Sequence, residues 1–149
     1  MLQMRSRILI LCTGNSARSQ MAEGILRAFD ARLDVFSAGT EPAARVHPGA
    51  IEAMREIGID ISGAAAKSVS PFLNRSFDHV ITVCGDADRN CPTFTGKVGK
   101  RVHIGFVDPA AAAKEDVPDT FRRVRDEIKS KLSEYYEKEI NTDGDQGNR

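Results

Sequence analysis

The sequence predicts a single-domain α/β protein built on an open, parallel, four-stranded sheet with helices on both faces. Short apolar runs with strand character alternate with segments of helical periodicity. The length of 149 residues suits one domain around one core. No internal repeat or linker divides the chain. Residues 1–140 are read as that domain, and residues 141–149 (NTDGDQGNR), polar and glycine-containing, as a disordered tail.

Arg7 to Cys12 (RILILC) is short, continuously apolar and followed by a glycine turn, which reads as a buried strand. Ala17 to Phe29 reads as a helix, because Met21, Ala22, Ile25, Leu26 and Phe29 recur at spacings of three and four. Asp34 to Gly39 (DVFSAG) is the second strand. Pro48 suits the first position of a helix, where an N–H is not needed. Ile51, Met54 and Ile57 give that helix its face, and Gly58 stops it. Ser70 to Arg75 is expected to be a short helix. His79 to Cys84 is the third strand and Arg101 to Phe106 the fourth. A long helix follows Asp119, with Phe121, Val124, Ile128, Leu132 and Tyr135 on one side.

Composition narrows the function. A hydrophobic content of 41% supplies enough apolar material for a proper core. The formal net charge of zero gives no general case for nucleic acid or membrane binding. The run Ile8 to Leu11 is too short for a signal-peptide core or a membrane span. A cytoplasmic, monomeric protein is therefore expected. In that compartment three cysteines do not make a static disulfide framework, so they are buried thiols or they do chemistry.

In parallel sheets, ligands bind beyond the carboxyl ends of the strands. Cys12, Cys84 and the Asp108–Pro109 turn all follow predicted strands, which places them along one edge. Between Cys12 and Arg18 lie Thr13, Gly14, Asn15, Ser16 and Ala17, all small. A strand, a small-residue loop and a helix make an anion trap, with backbone N–H groups and the helix N-terminus supplying positive potential. Gly14 permits a tight or left-handed turn and Asn15 tolerates one. Arg18 can grip a tetrahedral oxyanion with two parallel hydrogen bonds. Cys12, at the base of this field, is expected to be a thiolate at neutral pH, and Ser19 to donate a hydrogen bond to it. The competing reading, a buried thiol beside a solvated arginine, is weakened by the strand-loop-helix context.

The segment CTGNSARSQMAEG (Cys12 to Gly24) resembles the phosphate loop of low-molecular-weight protein tyrosine phosphatases. It is more closely similar to that of the thioredoxin-coupled arsenate reductases that share the fold. The similarity continues through Phe36–Gly39, His47–Met54, Asp60–Ser62, Val83–Pro92, Asp108–Ala110 and Phe121–Ile128, nearly the whole chain up to the tail. The phosphate loop does not separate phosphatase from reductase, but the pair Cys84 and Cys91 does. The resemblance implies a three-cysteine relay reducing arsenate to arsenite. Cys12 attacks the arsenic, Cys84 attacks Cys12 and releases arsenite, and Cys91 attacks Cys84. Thioredoxin then reduces the Cys84–Cys91 bond, although related enzymes use glutaredoxin. Asp108 is implied as the general acid that protonates the leaving oxygen. No tightly bound cofactor is implied. Some family members bind potassium near the loop, and Asn15, Glu23 and Ser37 match three of those positions.

Position 17 is Ala where the family often has a further cysteine outside the relay, and an alanine run follows Asp108–Pro109 in place of Tyr. The latter argues against phosphotyrosine as substrate. Two further readings stay open. One is a phosphatase using Cys12, Arg18 and Asp108 with Cys84 and Cys91 as bystanders. The other is a noncatalytic anion-binding or thiol-sensing module. A zinc site from His79, Cys84, Cys91 and His103 matches no standard finger or ribbon spacing. If Gly85 to Asn90 is helical when reduced, Cys84 and Cys91 stand roughly 10 Å apart. The turn must then unwind before a disulfide can close.

Overall fold

A computed structural model describes residues 6–141. Arg7–Cys12 forms β1, Asp34–Gly39 β2, Phe77–Thr82 β3 and Val98–His103 β4. All neighbouring strands run parallel, in the order β2-β1-β3-β4. β1 is therefore central, and Ile8 to Leu11 are wholly buried at successive positions. That is the behaviour of a strand covered on both sides, and it explains why the run is continuously apolar.

Arg18–Phe29 forms α1, Pro48–Arg55 α2, Gly85–Arg89 α3 and Val117–Tyr135 α4. Tyr136–Ile140 continues α4 as a π-helical stretch. α1 buries Met21, Ala22, Ile25 and Leu26. α4 buries Phe121, Val124, Ile128 and Leu132 and packs against both α1 and α2. α2 begins where His47 Nδ1 accepts from Gly49 N at 2.9 Å. Its buried face differs from the expected one: Ala50, Ala53 and Met54 point inward, while Ile51 and Ile57 are half-buried. Elsewhere Phe36, Phe72, Phe77 and Phe94 form a contiguous aromatic cluster, and the Arg7 guanidinium lies over two of its rings. Among the described residues no helix is long and apolar enough to cross a membrane.

Three boundaries are corrected. β3 starts at Phe77 and ends at Thr82, two residues earlier than expected at each end. β4 spans Val98–His103, so the apolar Ile104-Gly105-Phe106 lies beyond it. The helix expected at Ser70 to Arg75 is a 3-10 turn over Ser70–Phe72. The expected tail, apart from Asn141, lies outside the described residues.

The end of β2 touches the loop that follows β1. A Cβ at Gly39 would stand 2.4 Å from Thr13 O and 3.0 Å from Asn15 N, backbone atoms that have nowhere to go. Gly39→Ala is expected to destabilise the fold by about 1–3 kcal/mol through overpacking. Differential scanning calorimetry should show this as a fall in the melting temperature of roughly 3–10 °C. An unchanged melt would show that this junction is slack.

Candidate active site

The loop after β1 is shaped from outside. Thr40 N donates to Cys12 O at 3.1 Å, Glu41 N to Thr13 O at 2.8 Å, Ala43 N to Gly14 O at 2.9 Å and His47 N to Ser16 O at 2.8 Å. The Asn15 carbonyl accepts from Gln20 Nε2 at 3.2 Å. Five consecutive carbonyls are thus drawn outward. A trans peptide points its N–H opposite to its C=O, and no cis bond occurs among the described residues. The N–H groups of Thr13 through Ala17 therefore turn into the loop and form an anion-binding nest at the start of α1.

The residue in the left-handed region is Asn15, at φ 52°. Its side chain is wholly buried and fully bonded. Nδ2 donates to Ser19 Oγ at 2.8 Å and Ser37 Oγ at 2.9 Å. Oδ1 accepts from Gln20 Nε2 at 3.0 Å and Lys67 N at 2.8 Å. Ser37 Oγ in turn donates to Glu23 Oε1 at 2.5 Å. Ser19 Oγ thus accepts from Asn15 and is part of the same network.

Asn15, Glu23 and Ser37, the three positions associated with potassium, do come together. The Glu23 carboxylate already faces two protein cations: Arg27 Nη2 at 3.0 Å and Lys67 Nζ at 3.9 Å. With Asn15 Oδ1 also accepting two N–H groups, this arrangement offers no free oxygen cage and does not fit a further cation. No group of three or more His, Cys, Asp or Glu able to hold a metal occurs among the described residues. His79 Nδ1 pairs with Tyr135 Oη at 2.8 Å and His103 Nδ1 with Thr82 Oγ1 at 2.8 Å, away from any shared centre with the cysteines.

Arg18 opens α1. Its Nη1 donates to Phe106 O at 3.0 Å, and its Nη2 stands 4.0 Å from Asp108 Oδ2. Its Nε is buried with no partner, a cost that an oxyanion in the nest would remove. Asp108 is half exposed and caps the 3-10 turn Pro109–Ala111, accepting from Ala110 N at 3.0 Å. Arg18 and Asp108 thus lie side by side at the mouth of the loop.

Cys84 is the N-cap of α3, where its Sγ accepts from Ala87 N at 3.4 Å. It also pairs with Thr13 Oγ1 of the loop at 3.2 Å. The Cys12 and Cys84 thiols influence each other and shift in opposite directions. The bond to Cys84, reinforced by burial, pushes the Cys12 thiol well above its usual range despite the nearby Arg18. The same bond, together with Thr13, Ala87 N and Arg18, outweighs burial and brings Cys84 down to about 5. The two sulfurs titrate as one pair, with Cys12 moved up and Cys84 moved down. Cys91 lies past the single turn of α3, half-buried and outside the loop, and its thiol is raised by burial.

The loop, Arg18, Asp108 and Cys84 are brought together, with Cys91 held apart. Gln20, Ser37 and Lys67 were not expected to fasten the loop. The only signals for them are a glutamine directly after the loop motif and a serine one residue before Ala38–Gly39.

Over residues 7–146 the chain matches the family described as low molecular weight phosphotyrosine protein phosphatase. It is 44% identical over 134 residues to arsenate reductase 2 of Staphylococcus saprophyticus, covering 89% of this chain and 98% of that one. A solved arsenate reductase in the oxidised state superposes with a TM-score of 0.75 at 33% identity, covering 87% of this chain and 95% of that one. A thioredoxin-dependent arsenate reductase of Corynebacterium glutamicum gives a TM-score of 0.60 at 26% identity, covering 87% and 61%.

The influence of Cys84 on Cys12 yields a test. In Cys84→Ser the group that raises Cys12 most is gone, so Arg18 and the nest act on Cys12 against burial alone. The pH midpoint for iodoacetamide alkylation of Cys12 is expected to fall by more than one unit, read peptide by peptide by mass spectrometry. A midpoint that stays put or rises would show that Cys84 does not control this thiol.

Proposed function

Because this chain belongs to the low molecular weight phosphotyrosine protein phosphatase family and carries a second thiol in its anion loop, we propose that it reduces arsenate to arsenite by a three-cysteine relay. One observation carries the reading: Cys84 Sγ pairs at 3.2 Å with Thr13 Oγ1, the residue that follows Cys12 in the anion loop. Hydrolysis of a phosphate ester needs one thiol there. A two-electron reduction needs two, because a single thiol can form an adduct but cannot collapse it to a disulfide.

The steps follow from the positions. The nest and the Arg18 fork hold the oxyanion over Cys12. Transfer of the Cys12 proton to Cys84 leaves Cys12 as the nucleophile. Cys12 Sγ bonds to arsenic and one arsenic–oxygen bond breaks, the oxygen leaving as water with a proton delivered from Asp108. Cys84 then gives that proton up to solvent and, as thiolate, attacks Cys12 Sγ. The S–S bond forms, the electron pair of the As–S bond passes to arsenic, and arsenite leaves. Cys91 next attacks Cys84 Sγ, forming Cys84–Cys91 and releasing Cys12 as thiolate. Thioredoxin supplies the two electrons that reopen this last bond. The thiols must be reduced between turnovers, which suits the cytoplasm. We take residues 1–140 as the reductase domain.

The relay requires motion. Cys84 caps α3 at its start, while Cys91 lies two residues beyond its last residue, Arg89. The five-residue helix buries only Ala87, so little apolar surface opposes its unwinding.

The assay is arsenate turnover with thioredoxin, thioredoxin reductase and NADPH, run beside aryl phosphate hydrolysis. Cys12→Ser is expected to abolish both activities. Arg18→Lys should lower reduction by about 100-fold or more, because an ammonium cannot reproduce the planar fork. Asp108→Asn should slow the Cys12 step by about 100-fold with an unchanged melt. Cys91→Ser should stop after one turnover with Cys12 joined to Cys84. Amide exchange at residues 85–91 should quicken on oxidation while the sheet stays protected. Sustained thioredoxin-driven turnover by Cys91→Ser, or phosphate hydrolysis without arsenate reduction, would end this reading.

A further inference from the structure

Cys91 is not favoured as a nucleophile where it sits. It is half-buried, and burial raises it. Asp88, on the preceding turn, adds a negative charge that opposes a thiolate. A relay that ends on this sulfur needs something to offset both.

The structure provides a cation from the neighbouring strand. Arg101 lies within β4, and its Nη1 donates to Cys91 Sγ at 3.7 Å. That distance is within hydrogen-bonding range for a sulfur acceptor, and the Arg101 charge acts to lower Cys91. The guanidinium is not swinging free: it lies over the Phe94 ring, 5.6 Å from the centroid. Phe94 in turn packs edge-on against Phe77 at the start of β3. The charge beside Cys91 is thus mounted on the sheet, while Cys91 itself hangs from a helix that must unwind. The charged groups facing this sulfur are Arg101 from β4 and Asp88 from α3.

We propose that Arg101 is a positioning residue for the resolving thiol: it holds Cys91 Sγ beside β4 and pairs with it as the thiolate that attacks Cys84. The proposal rests on the relay described above. In the step it serves, the Cys91 thiolate bonds to Cys84 Sγ, the Cys12–Cys84 bond breaks, and Cys12 leaves with the electron pair, so no outside oxidant is consumed. The gain in rate follows from thiol–disulfide exchange. Lowering a thiol toward the ambient pH increases its thiolate fraction about tenfold per pH unit. Its nucleophilicity falls by only about half as much on the logarithmic scale.

The test uses the full-length chain. In the reduced protein, peptide-resolved iodoacetamide labelling across pH gives the midpoint for Cys91. Arg101→Gln is expected to raise it by about one pH unit, and Arg101→Lys, which keeps the charge, to restore most of the difference. The Cys12 profile and the melt should not move. After one equivalent of arsenate, acid quenching and mass spectrometry follow the two disulfides in turn. In Arg101→Gln at neutral pH, Cys12–Cys84 should form at the normal rate and convert to Cys84–Cys91 about threefold more slowly. An unchanged Cys91 midpoint with unchanged conversion would overturn the role of Arg101 and leave the relay standing. Equal shifts of the Cys12 and Cys91 profiles would also overturn it, since they would mark a general structural effect. Sustained turnover by Cys91→Ser is a different result and would remove the relay itself.

Discussion

The site depends on one buried amide. Asn15 sits in the left-handed region, which costs a residue with a side chain about 1–2 kcal/mol, and it is held there by four side-chain hydrogen bonds. Those bonds use both amide protons and both acceptor directions of the carbonyl oxygen. Their partners come from α1, from β2 and from the segment leading to Ser68, so three parts of the chain converge on a single side chain. Each such bond adds only about 1 kcal/mol net, but a partner lost from a buried network leaves an unsatisfied group worth about 1–3 kcal/mol. The turn at Asn15 is therefore determined by its surroundings. The outward carbonyls of residues 12 to 16 are the counterpart of that turn. Together they present the N–H groups of the loop inward without any help from a ligand.

The charge of the two sulfurs is governed by proximity. Cys12 alone, at the base of the nest and near Arg18, would be an acidic thiol. With Cys84 beside it, a second thiolate would place two negative charges side by side, so the two titrate as a pair. Thr13 Oγ1 pairs with Cys84 and Ala87 N donates to it, and both lower that thiol. In the proposed relay, one proton moved from Cys12 to Cys84 arms the first attack, and its removal arms the second.

Much of this was legible in the sequence, and the exceptions have physical causes. β1 and β2 fall where their apolar runs lie, because both are interior to the core or next to it. β4 is an edge strand with Gly99, Lys100 and Arg101 exposed, so it carries no apolar run to read. The apolar signal after it belongs to Phe106, which is buried because its N–H donates to Val83 O and its carbonyl accepts from Arg18. β3 was misread at its start because Asp78 interrupts the pattern. That carboxylate accepts from Arg7 N at 2.7 Å, a pairing between residues 71 positions apart that no local pattern shows. The influence of Cys84 on Cys12 is hidden for the same reason: the two are 72 positions apart.

The contrast between the two halves of the site explains how one small domain carries out both tasks. The oxyanion half must not move, since five N–H groups and a guanidinium recognise a tetrahedral anion only when fixed. It is fastened to the central strand, to the end of β2 and to the start of α2. In the proposed relay the redox half must move, since a sulfur beyond a helical turn has to reach the sulfur that caps it. It is built on five residues, one of them buried, tied down by a long Thr82–Asp88 bond of 3.3 Å and a surface Arg89–Asp86 pair. Cys84 is the hinge between the two. Its sulfur belongs to the rigid half through Thr13 and Cys12, and its backbone begins the mobile one. In the proposed relay, unwinding α3 removes the donation from Ala87 N to that sulfur, one of the bonds that lower the Cys84 thiol.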